Sequence, residues 1–258
     1  MSETKEKPLS NKVVLVTGGG RGIGRECALA AAEAGAWVSI AATTQSEIEA
    51  VKDEINQLDC RALAVQANVT KKEDTKRMVQ KTVSALGGLD IAINAAGLGG
   101  RRESLLDLDA DMFRDLLMVN VLGVMLSCQA EVQEMCRQQG GHIINISSGL
   151  AHRAVPNAIG YSSTKWAVEG ITQGIAVEFA DRDIIAHTLG PGRMLTKNFP
   201  LSELPKDRYH EARPLEAVRG SLMDLLTNPT GYSNGAFLNS VDWDREHGIE
   251  WESPLKDA

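Results

Sequence analysis

At 258 residues, 43% hydrophobic and with a formal charge of −7, the chain has ample material for one α/β core, and its acidic balance offers no footprint for nucleic acid. The stretch 1–10 is polar, without the apolar core of a signal peptide, and no apolar run reads as long enough to cross a bilayer. Four cysteines without C-x-x-C spacing, Cys27, Cys60, Cys128 and Cys136, read as free thiols of a cytoplasmic protein, and five scattered histidines suggest no metal site.

From the N-terminus, apolar runs alternate with longer amphipathic segments. Strands are expected at 13–17, 37–41, 62–66, 89–94, 142–147 and 184–189, with 236–239 a candidate seventh. Helices are expected at 25–34, 45–58, 71–86, 110–138 and 161–180. This alternation is the pattern of a doubly wound parallel sheet, a Rossmann-type α/β fold with helices on both faces. No repeat or low-complexity linker divides it. The domain reading is therefore a polar tail at 1–10, one Rossmann-type domain at 11–240 and an extension at 241–258.

The segment Thr17-Gly18-Gly19-Gly20-Arg21-Gly22-Ile23-Gly24 joins the first strand to the first helix. Gly18 permits the tight turn, Gly22 lets the backbone approach a pyrophosphate, and Gly24 lets the helix pack on the strand with its N-terminus facing the anion. Farther along, Tyr161 and Lys165 stand four residues apart, so a helix places the ammonium beside the phenol. A tyrosine with its ordinary pKa of ~10 transfers protons poorly at neutral pH, and a nearby cation favours the phenolate. The pair suits an acid/base catalyst.

The glycine spacing, Asn94-Ala95-Ala96-Gly97, Asn120, Ser148, Tyr161, Lys165 and Pro191-Gly192, in that order, resemble the short-chain dehydrogenase/reductase family, in particular its 3-oxoacyl-carrier-protein reductase-like members. The resemblance spans roughly residues 12–238. It implies an oxidoreductase moving a hydride between a nicotinamide cofactor and a secondary alcohol or ketone, with a carrier-bound 3-oxoacyl group as an alternative substrate. On matching positions Tyr161 is the proton donor or acceptor, Lys165 holds the nicotinamide ribose and lowers the Tyr161 pKa, and Ser148 hydrogen-bonds the substrate oxygen. Asn120 matches a position that supports the lysine through a water relay. The cofactor contacts implied are Gly18, Arg21, Gly22, Ile23, Gly24, Thr43, Asn68, Val69, Asn94, Ala95, Ala96, Gly97, Tyr161, Lys165, Pro191, Gly192, Met194 and Thr196. Ser147 rivals Ser148, but the thirteen-residue interval to Tyr161 favours Ser148 and leaves Ser147 a structural role.

After the second strand, Ala42-Thr43-Thr44 stand where NAD enzymes usually place an acid for the ribose hydroxyl, and Arg21 can take a 2′-phosphate. NADP(H) is favoured, with NAD(H) possible. Asn68-Val69 replaces the Asp-Val of relatives and keeps an amide for the adenine. Arg101, Arg102, His152, Arg153, Arg208, His210 and Arg213 are candidate pocket residues, with ordinary surface charge as the plain alternative. The interval from Thr196 to Pro214 is short for a lid. Trp243 and Trp251 anchor the tail on a neighbouring subunit, over the site or on their own domain. His142 and His152 read as loop or strand-edge residues, and His187 as structural. Gly170 and Gly174 share one helix face, which suggests close packing, either within the same subunit or, as the resemblance implies, across a twofold axis of a homodimer or homotetramer. A non-catalytic NAD(P)-binding regulator of the same fold is the alternative function.

Overall fold

The computed structural model describes residues 6–197, Leu204 and 206–255. Seven strands, β1 (Val13–Thr17), β2 (Trp37–Ala42), β3 (Ala62–Gln66), β4 (Ile91–Asn94), β5 (Gly141–Ile146), β6 (Ile184–Gly190) and β7 (Phe237–Asn239), form one sheet in the order β3-β2-β1-β4-β5-β6-β7. Every pairing is parallel, as in Leu15 opposite Ser39 on one side and Ala92 on the other.

The pleat explains why the strands read as unbroken apolar runs. Val14 and Val16 face a core layer with α1 (Gly22–Glu33), α2 (Gln45–Asn56) and α7 (Arg219–Thr227). Leu15 faces the opposite layer, with α3 (Lys72–Leu86), α5 (Val124–Gln138) and α6 (Ile159–Glu178). Strand order reverses between β1 and β4, which opens a crevice at the C-terminal strand ends, the expected place for a ligand in such a sheet.

Most boundaries lie within a few residues of the sequence reading, with three differences of substance. The expected helix at 110–138 is α4 (Ala110–Leu117), a π-helical segment at Met118–Gly123 and α5. A Cβ at Gly123 would lie 2.7 Å from Val69 Cγ2, so this segment packs closely on the loop after β3. The run Ala110–Gln138 is also long and apolar enough to cross a membrane by length and composition, contrary to expectation, although half of its most apolar window is buried in the fold. The tail at 241–258, for which no helix was expected, begins with one. It leaves β7 directly as α8 (Ser240–Glu246), where the Asn239 side chain accepts from the Val241 N–H at 3.0 Å.

The tail packs on its own domain. Trp243 donates to Asp224 at 2.7 Å, Trp251 donates to Asp244 at 2.9 Å, and Asp244 pairs with buried Arg213. His142 lies at the start of β5 but is buried, because β5 lies inside the sheet. Its Nε2 is 3.0 Å from His187 Nδ1, and burial pushes its pKa down to about 3, with His187 acting in the same sense. His187 is buried, as its structural reading requires. The interval from Thr196 to Pro214, read as short for a lid, falls partly outside the described residues, at 198–203 and 205.

Candidate active site

A cavity of about 1320 Å³ occupies the crevice, large enough for a dinucleotide and a small substrate. At one end lies the glycine turn. Gly18 has φ +66°, and a Cβ there would lie 2.7 Å from Ala96 Cα; one on Gly24 would lie 2.3 Å from the Gly18 carbonyl oxygen. Only glycine lets β1, the β4 loop and α1 meet this closely. Gly18, Arg21, Gly22, Ile23 and Gly24 all line the cavity.

Sequence reasoning missed Glu47 here. No acid occupies Ala42-Thr43-Thr44, but Glu47 in the first turn of α2 faces the glycine turn and accepts from Arg21 at 3.1 Å and Lys197 at 3.3 Å. Slight burial acts against the carboxylate, yet the hydrogen bonds from these two cations hold its pKa below the usual range. Arg21 is therefore engaged by a carboxylate. The only sequence signal was an acid three residues past Thr44.

Thr43, Asn68, Val69, Ala95, Ala96 and Gly97 line the middle of the cavity. The Asn68 side chain accepts from the Thr70 N–H and hydroxyl at 3.0 and 2.9 Å, and the Asn68 backbone N–H donates to Asp74. Asn94 is not brought to the cavity. Its side chain turns into the core, donating to Glu131 at 2.9 Å and Asn145 at 3.0 Å and accepting from Thr17 at 3.2 Å. The side chain thus links β1, β4, β5 and α5 in the core.

Asn120, fully buried in the π-helical segment, also does not line the cavity. It accepts from the Leu98 N–H at 2.7 Å and donates to the Leu98 carbonyl at 2.9 Å and to Thr164 at 3.1 Å. It ties the β4 loop to α6. A Cβ on Gly97 would be 3.3 Å from Asn120 Oδ1 and 4.0 Å from Lys165 Nζ, so the side chain stays close to the lysine.

Ser148, Tyr161 and Lys165 meet in the cavity. Burial pushes the Tyr161 phenol up to about 12, opposed by a hydrogen bond from Ser148. Lys165 Nζ lies 5.7 Å from the Tyr161 ring centroid and donates to the Ile146 carbonyl at 2.8 Å. Burial lowers its pKa to about 8, and Glu169 acts to raise it. In the protein alone the tyrosine pKa is therefore raised rather than lowered as expected, because burial of the phenol outweighs the hydrogen bond from Ser148. Ser147 points elsewhere: it hydrogen-bonds buried Glu169, which also accepts from Thr188 at 2.7 Å.

Pro191, Gly192, Met194 and Thr196 close the cavity from the β6 side, and Thr196 Cγ2 would lie 3.4 Å from a Cβ on Gly22. Val241, Asp242 and Arg245 of the tail form part of the wall. Of the candidate pocket residues, Arg101, Arg102, His152, Arg153, Arg208, His210 and Arg213 all line it, Arg213 being committed to Asp244 and to the Pro191 carbonyl. Arg193, missed in the sequence, joins them. Among the described residues no group of three His, Cys, Asp or Glu side chains is placed to hold a metal ion.

The chain resembles known proteins in sequence and in fold. The profile of the short chain dehydrogenase family matches residues 12–203. The chain is 37% identical to a 3-oxoacyl-[acyl-carrier-protein] reductase of Staphylococcus aureus, over 87% of this chain and 97% of that protein. It is 34% identical to a cyclohexanol dehydrogenase of Acinetobacter, over 76% and 78% of the two. Among solved structures, a putative short-chain alcohol dehydrogenase of Sinorhizobium meliloti aligns at a TM-score of 0.84 with 28% identity, covering 90% of this chain and 95% of that one.

Proposed function

The chain belongs to the short-chain dehydrogenase family, and from that membership we propose that it is an NAD(P)-dependent oxidoreductase interconverting a secondary alcohol and a ketone, with Tyr161 as general acid/base. The observation that carries this reading is the meeting of Ser148, Tyr161 and Lys165 in the same cavity as the glycine turn. The backbone cradle at Gly18 and the N-terminus of α1 suit a pyrophosphate, so the residues fit a dinucleotide. When bound, the nicotinamide supplies or accepts the hydride.

The protein's own groups do the rest. At neutral pH the raised phenol of Tyr161 keeps its proton and is ready to donate it to a carbonyl oxygen. Ser148, already hydrogen-bonded to the phenol, stabilises charge developing on that oxygen. Lys165 is largely protonated at pH 7 and is placed to hold a ribose, while Asn120 positions the β4 loop and α6. Asn120 enters as a positioning residue, and a complete proton-transfer set favours an enzyme over a regulator.

NADP(H) is the preferred cofactor in this reading. Support comes from the absence of an acid at Ala42-Thr43-Thr44 and from two cations, Arg21 and Lys197, facing one carboxylate, Glu47. The protein is proposed to be cytoplasmic and a homodimer or homotetramer built on α6 and the preceding long helix. On α6, Trp166, Gly170, Gly174 and Val177 are exposed, and a Cβ at either glycine meets nothing within 4 Å. Nicotinamide absorbance, followed with each cofactor across a panel of ketones and alcohols, tests the function.

A further inference from the structure

Four guanidinium groups gather at one end of the cavity. Arg102 lies on the loop after β4, Arg153 five residues past Ser148 on the loop after β5, and Arg193 directly after Pro191-Gly192 beyond β6; Arg208 comes from the Lys206–Glu211 turn. Among the described residues a single carboxylate faces them. Glu211 accepts from Arg193 at 2.9 Å and from Arg208 at 2.6 and 2.8 Å. Arg102 and Arg153 have no hydrogen-bond or ion-pair partner among the described residues, and both are exposed to the cavity.

This concentration of charge is not inherited from a basic chain, since the protein carries −7 overall. Nor is it the pyrophosphate end. The glycine turn, Arg21 and Lys197 sit beside β1 and β2, whereas these arginines rise from the loops of β4, β5 and β6, on the side of Ser148 and Tyr161. Arg193 is 18% exposed, and burial lowers its pKa, with Arg208, Arg102 and Arg153 acting in the same direction against Glu211. Like charges held together beside a partly enclosed cavity cost free energy until an anion joins them. Guanidinium groups pair bidentately with carboxylate and phosphate.

We infer that the substrate carries an anionic group, a carboxylate or a phosphate, beyond its reacting carbonyl or alcohol, and that Arg102, Arg153 and Arg193 bind it. The inference rests on the oxidoreductase reading and narrows its substrate class. It names chemistry shared by a keto acid and by the phosphates of a pantetheine-type thioester.

Two matched substrate pairs test it: 4-oxopentanoate against 2-pentanone, and acetoacetyl-coenzyme A against acetoacetyl-N-acetylcysteamine. In at least one pair the anionic member should have the higher kcat/KM, by about tenfold or more, and the responding pair tells carboxylate from phosphate. In the double variant Arg102→Gln, Arg153→Gln that ratio should fall toward one. Calorimetric titration of cofactor-saturated protein with succinate and with inorganic phosphate supplies a readout independent of turnover. The wild type should bind at least one of them, and the double variant should bind it about tenfold more weakly or worse. Turnover without preference for an anionic member, or an unchanged ratio in the variant, overturns the inference, as does binding of neither anion. If no ketone turns over but arginine-dependent anion binding persists, the anion site stands and the oxidoreductase reading fails.

Discussion

Lys165 and Tyr161 stand one helical turn apart on α6, yet Lys165 Nζ lies 5.7 Å from the Tyr161 ring centroid and donates its hydrogen bond to Ile146 instead. The ammonium thus waits in a buried position beside the cavity, with its pKa lowered to about 8 by desolvation. Its charge is present at neutral pH and is lost in mildly alkaline solution.

A pH profile follows. For ketone reduction, kcat/KM should be flat below about pH 8 and fall by about tenfold per unit above it, as Lys165 loses its proton. Stability should move the other way. Between the folded value of about 8 and the ordinary 10.5 the unfolded chain holds the proton that the folded chain has released, so this group's contribution to stability rises with pH. An activity profile flat to about pH 10 would exclude charged Lys165 from the mechanism.

Cofactor choice is read from Ala42 and Glu47. Ala42→Asp adds an acceptor for a ribose hydroxyl and repels a 2′-phosphate, so NAD(H) should gain over NADP(H) by about tenfold in fluorescence titration. Glu47→Gln frees Arg21 and Lys197 and should shift the preference toward NADP(H). Unchanged affinity ratios in both variants would refute this placement of the 2′-phosphate.

What could be read from sequence was set by range. The strands were legible because both faces of the sheet are covered, leaving runs such as Val13-Val14-Leu15-Val16 apolar throughout. Ser148, Tyr161 and Lys165 were legible because their spacing is local. The π-helical segment was not, because the close approach of Gly123 to Val69 that accompanies it joins residues far apart in sequence. Lys197 meets Glu47 across 150 positions, and Arg102, Arg153 and Arg193 converge from three loops, so their grouping exists only in the fold. Asn94 carried the motif but not the direction of its side chain.

Glu131 offers a stability test away from the chemistry. Burial raises its pKa to about 7, against the hydrogen bond from Asn94, and its Oε1 has no partner. Between the ordinary 4.5 and about 7 the folded state holds the extra proton, so stability should fall as pH rises through that window. The slope approaches about 1.4 kcal/mol per pH unit at most. Glu131→Gln should flatten the dependence of Tm on pH; an equal slope in both proteins would reject the assignment.

The exposed stripe on α6 gives a clean test of assembly. Because nothing in the subunit lies within 4 Å of a Cβ at Gly174, Gly174→Leu should leave the subunit folded and disrupt only contacts between copies. Light scattering should show a dimer or tetramer for the wild type and smaller species for the variant. An active, strictly monomeric wild type would eliminate the oligomer.

The most direct test of the central claim compares the wild type with Tyr161→Phe by nicotinamide absorbance, alongside a cofactor-binding titration of each. The wild type should turn over at least one ketone or alcohol with a nicotinamide cofactor. The variant, lacking only the phenol oxygen, should bind cofactor normally but turn over about 100-fold to 10,000-fold more slowly. Near-normal kcat in Tyr161→Phe, or no wild-type turnover of any member of the panel with either cofactor, would contradict the account.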